Sequence, residues 1–462
     1  MTRIVVLGGG PAGYIAALRA AQLGAQVSLV EEREIGGTCL NRGCIPTKAL
    51  VAAAERHRAA RDDAEFGVVV GAPRVDVAAL MARKRAATEQ LRGGVEHLLR
   101  QRKVEVVNSR GRLVDARTVR VDAFEDDGAG RDLTGDAVIL ATGSRPTMLP
   151  VFDVADPRVV TSDGLLEVDR LPASLAVIGG GVIGCEFASI FAELGTRVTV
   201  VEMLDQLLPG EDKRVAATLT QAFRKAGIES RVKTMVEGVD VSSPDAVRLR
   251  LAGGDTVAAG LVLVAVGRQP VARGMGFEEA GVAIDEHGFV VIDDTLRTSL
   301  DGVFAAGDVA GPPLLAHWAY HQGAAAAENA VLGGGRTVDR RFVPNCVFSH
   351  PEVASFGTTE DAAKAAGLEV AIAQVRFNGN SKAVIEGQNE GFVRIVGDAE
   401  RRVIGASLVG PRVTDLVHEL VVAARAGLTI DELADTIHAH PTLSEAIGEA
   451  ALSGAGRGMH TF

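Results

Sequence analysis

Short apolar runs alternate with longer segments of helical periodicity over the first two thirds of the chain. Residues 4–7 form a continuous apolar run, which is typical of a buried parallel strand, and a helix-like segment and a second run at 27–30 follow. The same order returns later, with apolar runs at 175–178 and 198–201 on either side of a helix-like segment. Because strands that alternate with helices build parallel sheets, two α/β units are predicted.

A long helical segment extends the first unit. Residues 49–103 are rich in Ala, Arg, Glu and Leu at helical spacing, with a break around 67–74. Strand-like segments follow at 104–107, 112–114, 118–121 and 137–140, with a polar turn near 125–130.

The pattern changes from Phe342 on, after a glycine-rich linker at 332–336. Apolar and polar residues now alternate as in half-buried strands, for example at 392–396, and helices are predicted near 360–366 and 414–426. This part has no glycine motif, so we expect a third domain of the α+β class.

A G-x-G-x-x-G motif follows the first apolar run of each α/β unit. The motif glycines are Gly8, Gly10 and Gly13 in the first copy and Gly179, Gly181 and Gly184 in the second. An acidic residue, Glu31 or Glu202, ends the second run at the same distance from the first glycine in both copies. Such glycines let a pyrophosphate approach a helix N-terminus while the carboxylate binds ribose hydroxyls. The chain therefore contains a duplicated dinucleotide-binding unit.

Two cysteines, Cys39 and Cys44, lie in the part of the first unit that the second unit lacks. A disulfide between them would close a loop too small to stabilise the fold much, so a chemical use is favoured. Lys48 and a helix N-terminus nearby would favour a thiolate. Two dinucleotide sites around a cysteine pair indicate a relay of electron pairs between a nicotinamide, a flavin and a disulfide. No other Cys or His lies at ligand spacing, so no metal site is predicted.

Thiol–disulfide exchange also needs a general base, and histidine suits that role near neutral pH. His440 precedes Pro441, which favours a non-helical turn, and Glu445 is close enough in sequence to orient it. His438 is the competing candidate, because the sequence alone hardly ranks the histidines.

Composition limits the partners and the location. The net charge of −11 argues against nucleic acid and suits an enzyme, or one that docks on a basic partner. No stretch has the roughly 18 apolar residues of a membrane span, and no targeting signal is recognised, so a cytoplasmic location is expected. Cys185 and Cys346 are expected to be buried, small apolar residues.

Two segments give the chain a family resemblance. Residues 36–48 read Gly-Gly-Thr-Cys-Leu-Asn-Arg-Gly-Cys-Ile-Pro-Thr-Lys, and residues 438–445 read His-Ala-His-Pro-Thr-Leu-Ser-Glu. Both closely resemble the flavin-dependent pyridine nucleotide–disulfide oxidoreductases, and the landmarks match in order over essentially the whole chain. The resemblance implies an α/β fold with two Rossmann-like dinucleotide-binding domains and a C-terminal α+β dimerisation domain. The implied boundaries are 1–146 and 268–338 for the FAD-binding parts, 147–267 for the NAD-binding domain and 339–462 for the dimerisation domain.

The same resemblance implies an FAD-dependent enzyme that oxidises dihydrolipoyl groups with NAD. Cys39 is then the interchange thiol, Cys44 the thiol at the flavin, and Lys48 pairs with Glu186. His440, oriented by Glu445, would act at the disulfide of the partner subunit in a homodimer. The implied cofactor-binding residues are Gly8, Gly10, Gly13, Glu31, Thr38, Lys48, Gly111, Gly143, Asp308 and Ala316, together with Gly179, Gly181, Gly184, Glu202 and Gly267.

Some positions depart from the commonest family pattern: Arg42 beside the cysteines, residues 317–322 and the turn at 349–351. They leave open a modified substrate approach or a different partner complex. The alternative function is an NAD(P)H-dependent reductase of another small disulfide, although Glu202 would repel the 2′-phosphate of NADPH. A flavoprotein without catalysis is disfavoured because the catalytic set is complete. The implied partners are lipoyl domains and the acyltransferase core of a 2-oxoacid dehydrogenase complex, or the lipoyl carrier of glycine cleavage.

Overall fold

The structure of the protein is a computed structural model that describes residues 1–122 and 130–460. The polar turn predicted near 125–130 lies outside the described residues, except for residue 130.

The elements of the first α/β unit are, in chain order, β1 (Arg3–Leu7), α1 (Pro11–Gln22), β2 (Gln26–Glu31), α2 (Gly37–Arg42), α3 (Cys44–Asp62), α4 (Val77–Gln101), β3 (Glu105–Asn108), β4 (Gly111–Asp115), β5 (Thr118–Val121), β6 (Arg131–Thr134), β7 (Ala137–Leu140) and β8 (Ser144–Pro146). The second unit contains β9 (Val159–Val160), α5 (Ser162–Leu165), β10 (Ser174–Ile178), α6 (Val182–Glu193), β11 (Arg197–Val201), α7 (Lys213–Lys225), β12 (Glu229–Arg231), β13 (Val236–Asp240), β14 (Val247–Leu251), β15 (Thr256–Ala259) and β16 (Leu261–Val264).

The rest of the chain forms β17 (Arg268–Pro270), α8 (Phe277–Ala280), β18 (Val303–Ala305), α9 (Ala316–Leu332), β19 (Asn345–Val347), β20 (Glu352–Gly357), α10 (Glu360–Ala365), β21 (Ala371–Arg376), α11 (Ser381–Ile385), β22 (Phe392–Gly397), β23 (Val403–Gly410), α12 (Val413–Ala426), α13 (Ile430–Ala434) and α14 (Glu445–Gly454).

The two α/β units share the arrangement of four parallel strands, β7-β1-β2-β3 and β16-β10-β11-β12, while the fifth strand of each sheet comes from a different place in the chain. Parallel strands have the order β18-β7-β1-β2-β3 in the first sheet and β12-β11-β10-β16-β9 in the second. Each unit also carries a separate antiparallel sheet, β4-β5-β6 or β13-β14-β15. The predicted duplication is therefore present in the structure, and the crossover from β2 to β3 is enlarged by α2, α3 and α4, where the second unit has α7.

Strand β1 shows why its sequence is continuously apolar. Ile4 and Val6 pack on one side with residues of α1 and α9, and Val5 and Leu7 pack on the other with residues of the small antiparallel sheet. Both faces of the strand are covered at residues 4–7, which are all apolar, and only Arg3 at its start is exposed.

The C-terminal part is an antiparallel sheet with the order β19-β20-β23-β22-β21, covered by helices α12 and α14. The predicted helices at 360–366 and 414–426 correspond to α10 and α12. Cys185 is buried as expected, whereas Cys346 is only partly buried. No helix among the described residues is both long and apolar enough to cross a membrane.

The chain passes between sheets more than once. Strand β18 returns to the first sheet beside β7, and β17 pairs with β8. We propose the domain boundaries given above, because β16 belongs to the second sheet while β17 already pairs with the first unit.

The contact between α1 and α9 depends on a glycine. A Cβ added to Gly323 would lie 2.2 Å from the Ala12 carbonyl oxygen. We expect Gly323→Ala to destabilise the protein by about 1–3 kcal/mol, because the two helices would have to separate. The measurement is thermal unfolding of the purified protein.

Gly93→Ala is the matched control, since Gly93 is also helical but a Cβ there meets nothing within 4 Å. It should stabilise by up to about 1 kcal/mol through helix propensity. Equal melting temperatures for the two variants would contradict the packing argument.

Candidate active site

A cavity of about 2150 Å³ extends between the glycine turns of the two α/β units, with the cysteine pair in its wall. This volume exceeds the 300–1,000 Å³ usual for a single small ligand. Most of the site residues predicted from the sequence line this cavity. They are Gly8, Gly10, Glu31, Thr38, Cys39, Cys44, Lys48, Gly111, Gly143, Gly179, Gly181, Glu186, Glu202, Gly267, Asp308 and Ala316.

The third motif glycines have a packing role in the structure. A Cβ on Gly13 would lie 1.7 Å from the Gly8 carbonyl oxygen, and one on Gly184 would lie 1.9 Å from that of Gly179. Neither residue lines the cavity. They let each helix start close to its strand, so that the helix N-terminus points at the cavity.

The acidic residues of both units are fixed by backbone N–H groups. Glu31 accepts hydrogen bonds from the Gly9 and Arg33 amides at 2.7 and 2.8 Å. Glu202 accepts from the Gly180 and Leu204 amides at 2.6 and 2.7 Å. Each carboxylate oxygen retains a lone pair that can accept from a ribose hydroxyl.

The cysteines lie on either side of a helix break. Cys39 is within α2, and Cys44 is the first residue of α3, where unpaired N–H groups favour a negative charge. Asn41 donates to the Ile35 and Gly37 carbonyl oxygens at 3.0 Å and so holds α2 in place. Both cysteines are free thiols and both are partly exposed.

The two thiols have very different acidities. A hydrogen bond from Cys39 and the charge of Lys48 lower the pKa of Cys44 to about 7, against the opposing effect of burial. The same hydrogen bond, together with burial, raises the pKa of the Cys39 thiol. Cys44 is therefore the more acidic of the two thiols and loses its proton first.

Lys48 is bound to a buried carboxylate. Its Nζ lies 2.8 Å from both oxygens of Glu186, and the Phe348 ring centroid is 4.5 Å from Nζ. The Phe348 amide also donates to Glu186 at 3.0 Å. Phe348 was not identified from the sequence, although it adjoins the turn at 349–351 that departs from the family pattern.

Asp308 is fixed by residues that sequence reasoning also missed. Ser144 Oγ donates to Asp308 at 2.5 Å, and Arg268 donates to Ser144 Oγ and to its carbonyl oxygen at 2.8 Å. The segments that hold Ser144 and Arg268 are similar in sequence, since residues 141–146 read Ala-Thr-Gly-Ser-Arg-Pro and residues 265–270 read Ala-Val-Gly-Arg-Gln-Pro, but this similarity does not indicate the contact.

His440 lies outside the cavity of its own chain. Its Nδ1 is 2.9 Å from Glu445, whose other oxygen accepts from the Thr442 amide at 2.7 Å, and its side chain is 69% exposed. Burial raises the pKa of Glu445, but the Thr442 and His440 hydrogen bonds outweigh it, so the net shift is downward. Nδ1 donates to this carboxylate, which leaves Nε2 free to accept a proton. The structure thus orients His440 as predicted but does not bring it to the cysteines of the same chain.

The departures from the family pattern have structural partners. Arg42 pairs with Glu34 at 2.5 Å, and His317 Nε2 donates to the Pro344 carbonyl oxygen at 2.8 Å. The Tyr320 ring contacts Tyr14 with centroids 5.9 Å apart.

Two family models match the chain. The first, described as pyridine nucleotide-disulphide oxidoreductase, matches residues 2–323. The chain belongs to this family. The second match, the dimerisation domain of the same family, covers residues 343–451 and supports a homodimer. The resemblance inferred from residues 36–48 and 438–445 is confirmed.

Curated members of the family are similar over their whole length. Dihydrolipoyl dehydrogenase of Bacillus subtilis (strain 168) is 39% identical over 470 residues, covering 99% of this chain and 98% of that protein. Dihydrolipoyl dehydrogenase 2 of Haloarcula marismortui is 40% identical over 466 residues, covering 100% and 98%.

Solved structures of this family share the fold. LpdA from Mycobacterium tuberculosis has a TM-score of 0.91 and 31% identity, covering 98% of this chain and 99% of that one. The HOCl-induced flavoprotein disulfide reductase RclA from Escherichia coli has a TM-score of 0.86 and 29% identity, and the match covers 97% of this chain and 98% of that one. The α/β fold class predicted from the sequence is therefore confirmed.

Lys48 is expected to set the acidity of Cys44. Lys48→Met should raise the Cys44 pKa above about 7, by about one pH unit or more, because a cation is lost and the charge of Glu186 remains. The ultraviolet absorbance of the thiolate in the reduced protein, followed against pH, measures the change. Lys382→Met, which removes an exposed partner of Glu386, should leave the titration unchanged. An unchanged titration in Lys48→Met would contradict the assignment.

Proposed function

We propose that the protein oxidises protein-bound dihydrolipoyl groups with NAD through the Cys39–Cys44 disulfide and FAD, as a dihydrolipoyl dehydrogenase does. The observation that carries the proposal is the cysteine pair in the wall of one cavity that both dinucleotide units line. The names and full-length similarity of the curated relatives support the same reaction.

The residues of the first unit fit FAD. Helix α1 begins after Gly10 with no side-chain cap, so its free N–H groups can bind a pyrophosphate. Glu31 would bind the adenosine ribose, and Asp308, fixed by Ser144, the ribityl chain. When bound, FAD supplies a carrier that passes an electron pair between nicotinamide and disulfide.

The second unit fits NAD for the same reasons. Helix α6 begins after Gly181, again with no side-chain cap, and Glu202 is held towards the cavity. A carboxylate at this position binds the ribose hydroxyls of NAD and repels the 2′-phosphate of NADP.

The chain's own groups can carry out the thiol–disulfide exchange. A dihydrolipoyl thiolate attacks Sγ of Cys39, the Cys39–Cys44 bond breaks, and Cys44 leaves as a thiolate. The second substrate thiol then loses its proton and its sulfur attacks the first, so that the lipoyl disulfide forms, the mixed disulfide to Cys39 breaks, and Cys39 takes up a proton as a thiol. Cys44 is the better leaving group, because its pKa of about 7 is the lower of the two.

Two pairs of side chains, Lys48 with Glu186 and His440 with Glu445, support this exchange. Lys48, held by Glu186, stabilises the Cys44 thiolate. His440, with Nδ1 bonded to Glu445, takes the proton of the substrate thiol on Nε2. Since His440 is exposed and outside its own cavity, we propose that it serves the disulfide of the partner subunit.

A substrate panel tests the function. The purified protein with FAD should reduce NAD with dihydrolipoamide and use NADP far less well. His440→Gln should lower this activity by about 10²–10⁴-fold, because the general base is lost. It should leave the reduction of ferricyanide by NADH unchanged, since that reaction removes no thiol proton.

Failure with dihydrolipoamide, combined with NADPH-driven reduction of glutathione disulfide or a similar compound, would favour the alternative disulfide reductase. Disulfide substrates belong in the panel because the chain is also similar in structure to RclA, a flavoprotein disulfide reductase.

We further propose lipoyl domains and the acyltransferase core of a 2-oxoacid dehydrogenase complex, or the lipoyl carrier of glycine cleavage, as partners. The net charge of −11 suits docking on a basic surface, and such binding should weaken with salt. The cytoplasmic location stays a prediction.

A further inference from the structure

His438, two residues before the proposed base, has oxygen acceptors at both ring nitrogens. Nε2 lies 2.8 Å from a carboxylate oxygen of Glu419 on α12, and Nδ1 lies 3.1 Å from the Thr436 carbonyl oxygen. A neutral imidazole can donate from only one nitrogen, whereas the imidazolium donates from both. The two hydrogen bonds are therefore satisfied together only when His438 is charged.

The ring is enclosed by the elements that position His440. The side chain of His438 is 10% exposed, and a Cβ on Gly448 of α14 would lie 2.7 Å from its Nδ1. Helix α14 begins at Glu445, the residue that orients His440. His438 thus connects α12, the end of α13 and α14 through one ring.

The charges around the ring favour its protonated form. The hydrogen bond to Glu419 is the largest cause that raises the pKa of His438, and the charges of Glu419 and Glu445 add to it, against burial. Glu419 contacts the ring from α12, and Glu445, whose charge also acts on the ring, is the first residue of α14 and bonds to His440.

We propose that His438 is a positioning residue, an imidazolium held by Glu419 and the Thr436 carbonyl that fixes residues 436–442 so that His440 faces its target. The role assigned to His440 rests on the function proposed above. His438 does not line the cavity of its own chain.

If His438 acts as an imidazolium, the activity that depends on His440 should fall as the pH rises. A histidine whose pKa is raised by folding stabilises its surroundings below the unfolded pKa, and the stabilisation is lost as the pH rises through the folded value. The loop that carries His440 should therefore loosen on the alkaline side. Oxidation of dihydrolipoamide should fall there, while reduction of ferricyanide by NADH should not.

Glu419→Gln is the decisive variant, because it keeps the size and an acceptor oxygen but removes the charge. The alkaline limb of kcat/KM for dihydrolipoamide should move to lower pH, as the His438 pKa falls towards its ordinary value of about 6.5. The ferricyanide activity should match that of the wild type. His287→Gln is the control, since His287 is an exposed histidine beside a glutamate in another part of the fold, and its profile should be that of the wild type.

A pH-independent loss in Glu419→Gln, with the alkaline limb unmoved, would overturn the proposal, because it is what a merely structural contact would give. Nuclear magnetic resonance of ¹⁵N-histidine-labelled protein provides a second test that needs no substrate. Both nitrogens of His438 should carry protons at neutral pH in the wild type, and the titration should move to lower pH in Glu419→Gln. A neutral tautomer, or a titration that does not move, would contradict the proposal even if dihydrolipoamide proves not to be the substrate.

Discussion

The ion pair between Lys48 and Glu186 is the contact on which the reaction centre depends. Lys48 belongs to the helix that starts at Cys44, Glu186 belongs to the second dinucleotide unit, and Phe348, which contacts both, belongs to the C-terminal part. Glu186 is almost fully buried, and such a charge is tolerated only when it is paired and hydrogen-bonded. The same contact thus holds three parts of the chain together and places a cation beside the thiolate.

The two dinucleotide-binding units are built on the same plan because the unit is duplicated in the chain. Both units present a glycine turn, an uncapped helix N-terminus and a carboxylate fixed by two amides, and both face one cavity. They differ in the crossover after the second strand, where the first unit carries the helices of the cysteine pair. A reactive dithiol is thereby placed between two sites that are built in the same way.

Local features were predictable from the sequence. The glycine turns, Glu31, Glu202 and the helix that begins at Cys44 depend on residues near one another in the chain, so their spacing indicates their chemistry. The contacts of Phe348 with Lys48, and of Arg268 with Ser144, join segments more than a hundred residues apart. The spacing of residues along the chain gives no indication of such long-range contacts.

The two histidines of residues 438–440 differ in how far the sequence indicates their contacts. Its pairing with Glu445 is local and was predicted, and the structure shows it. The protonation of His438 depends on Glu419 of α12, which is 19 residues away in the chain, and only the contact between the two side chains indicates it.

A hybrid dimer of one Cys39→Ser chain and one His440→Gln chain, purified with two different tags, shows which subunit's disulfide His440 serves. If each base serves the partner subunit, the hybrid has one complete site and should recover about half of the wild-type oxidation of dihydrolipoamide, although each parent homodimer is inactive. If the base serves its own chain, the hybrid has no complete site, and an inactive hybrid would contradict the account.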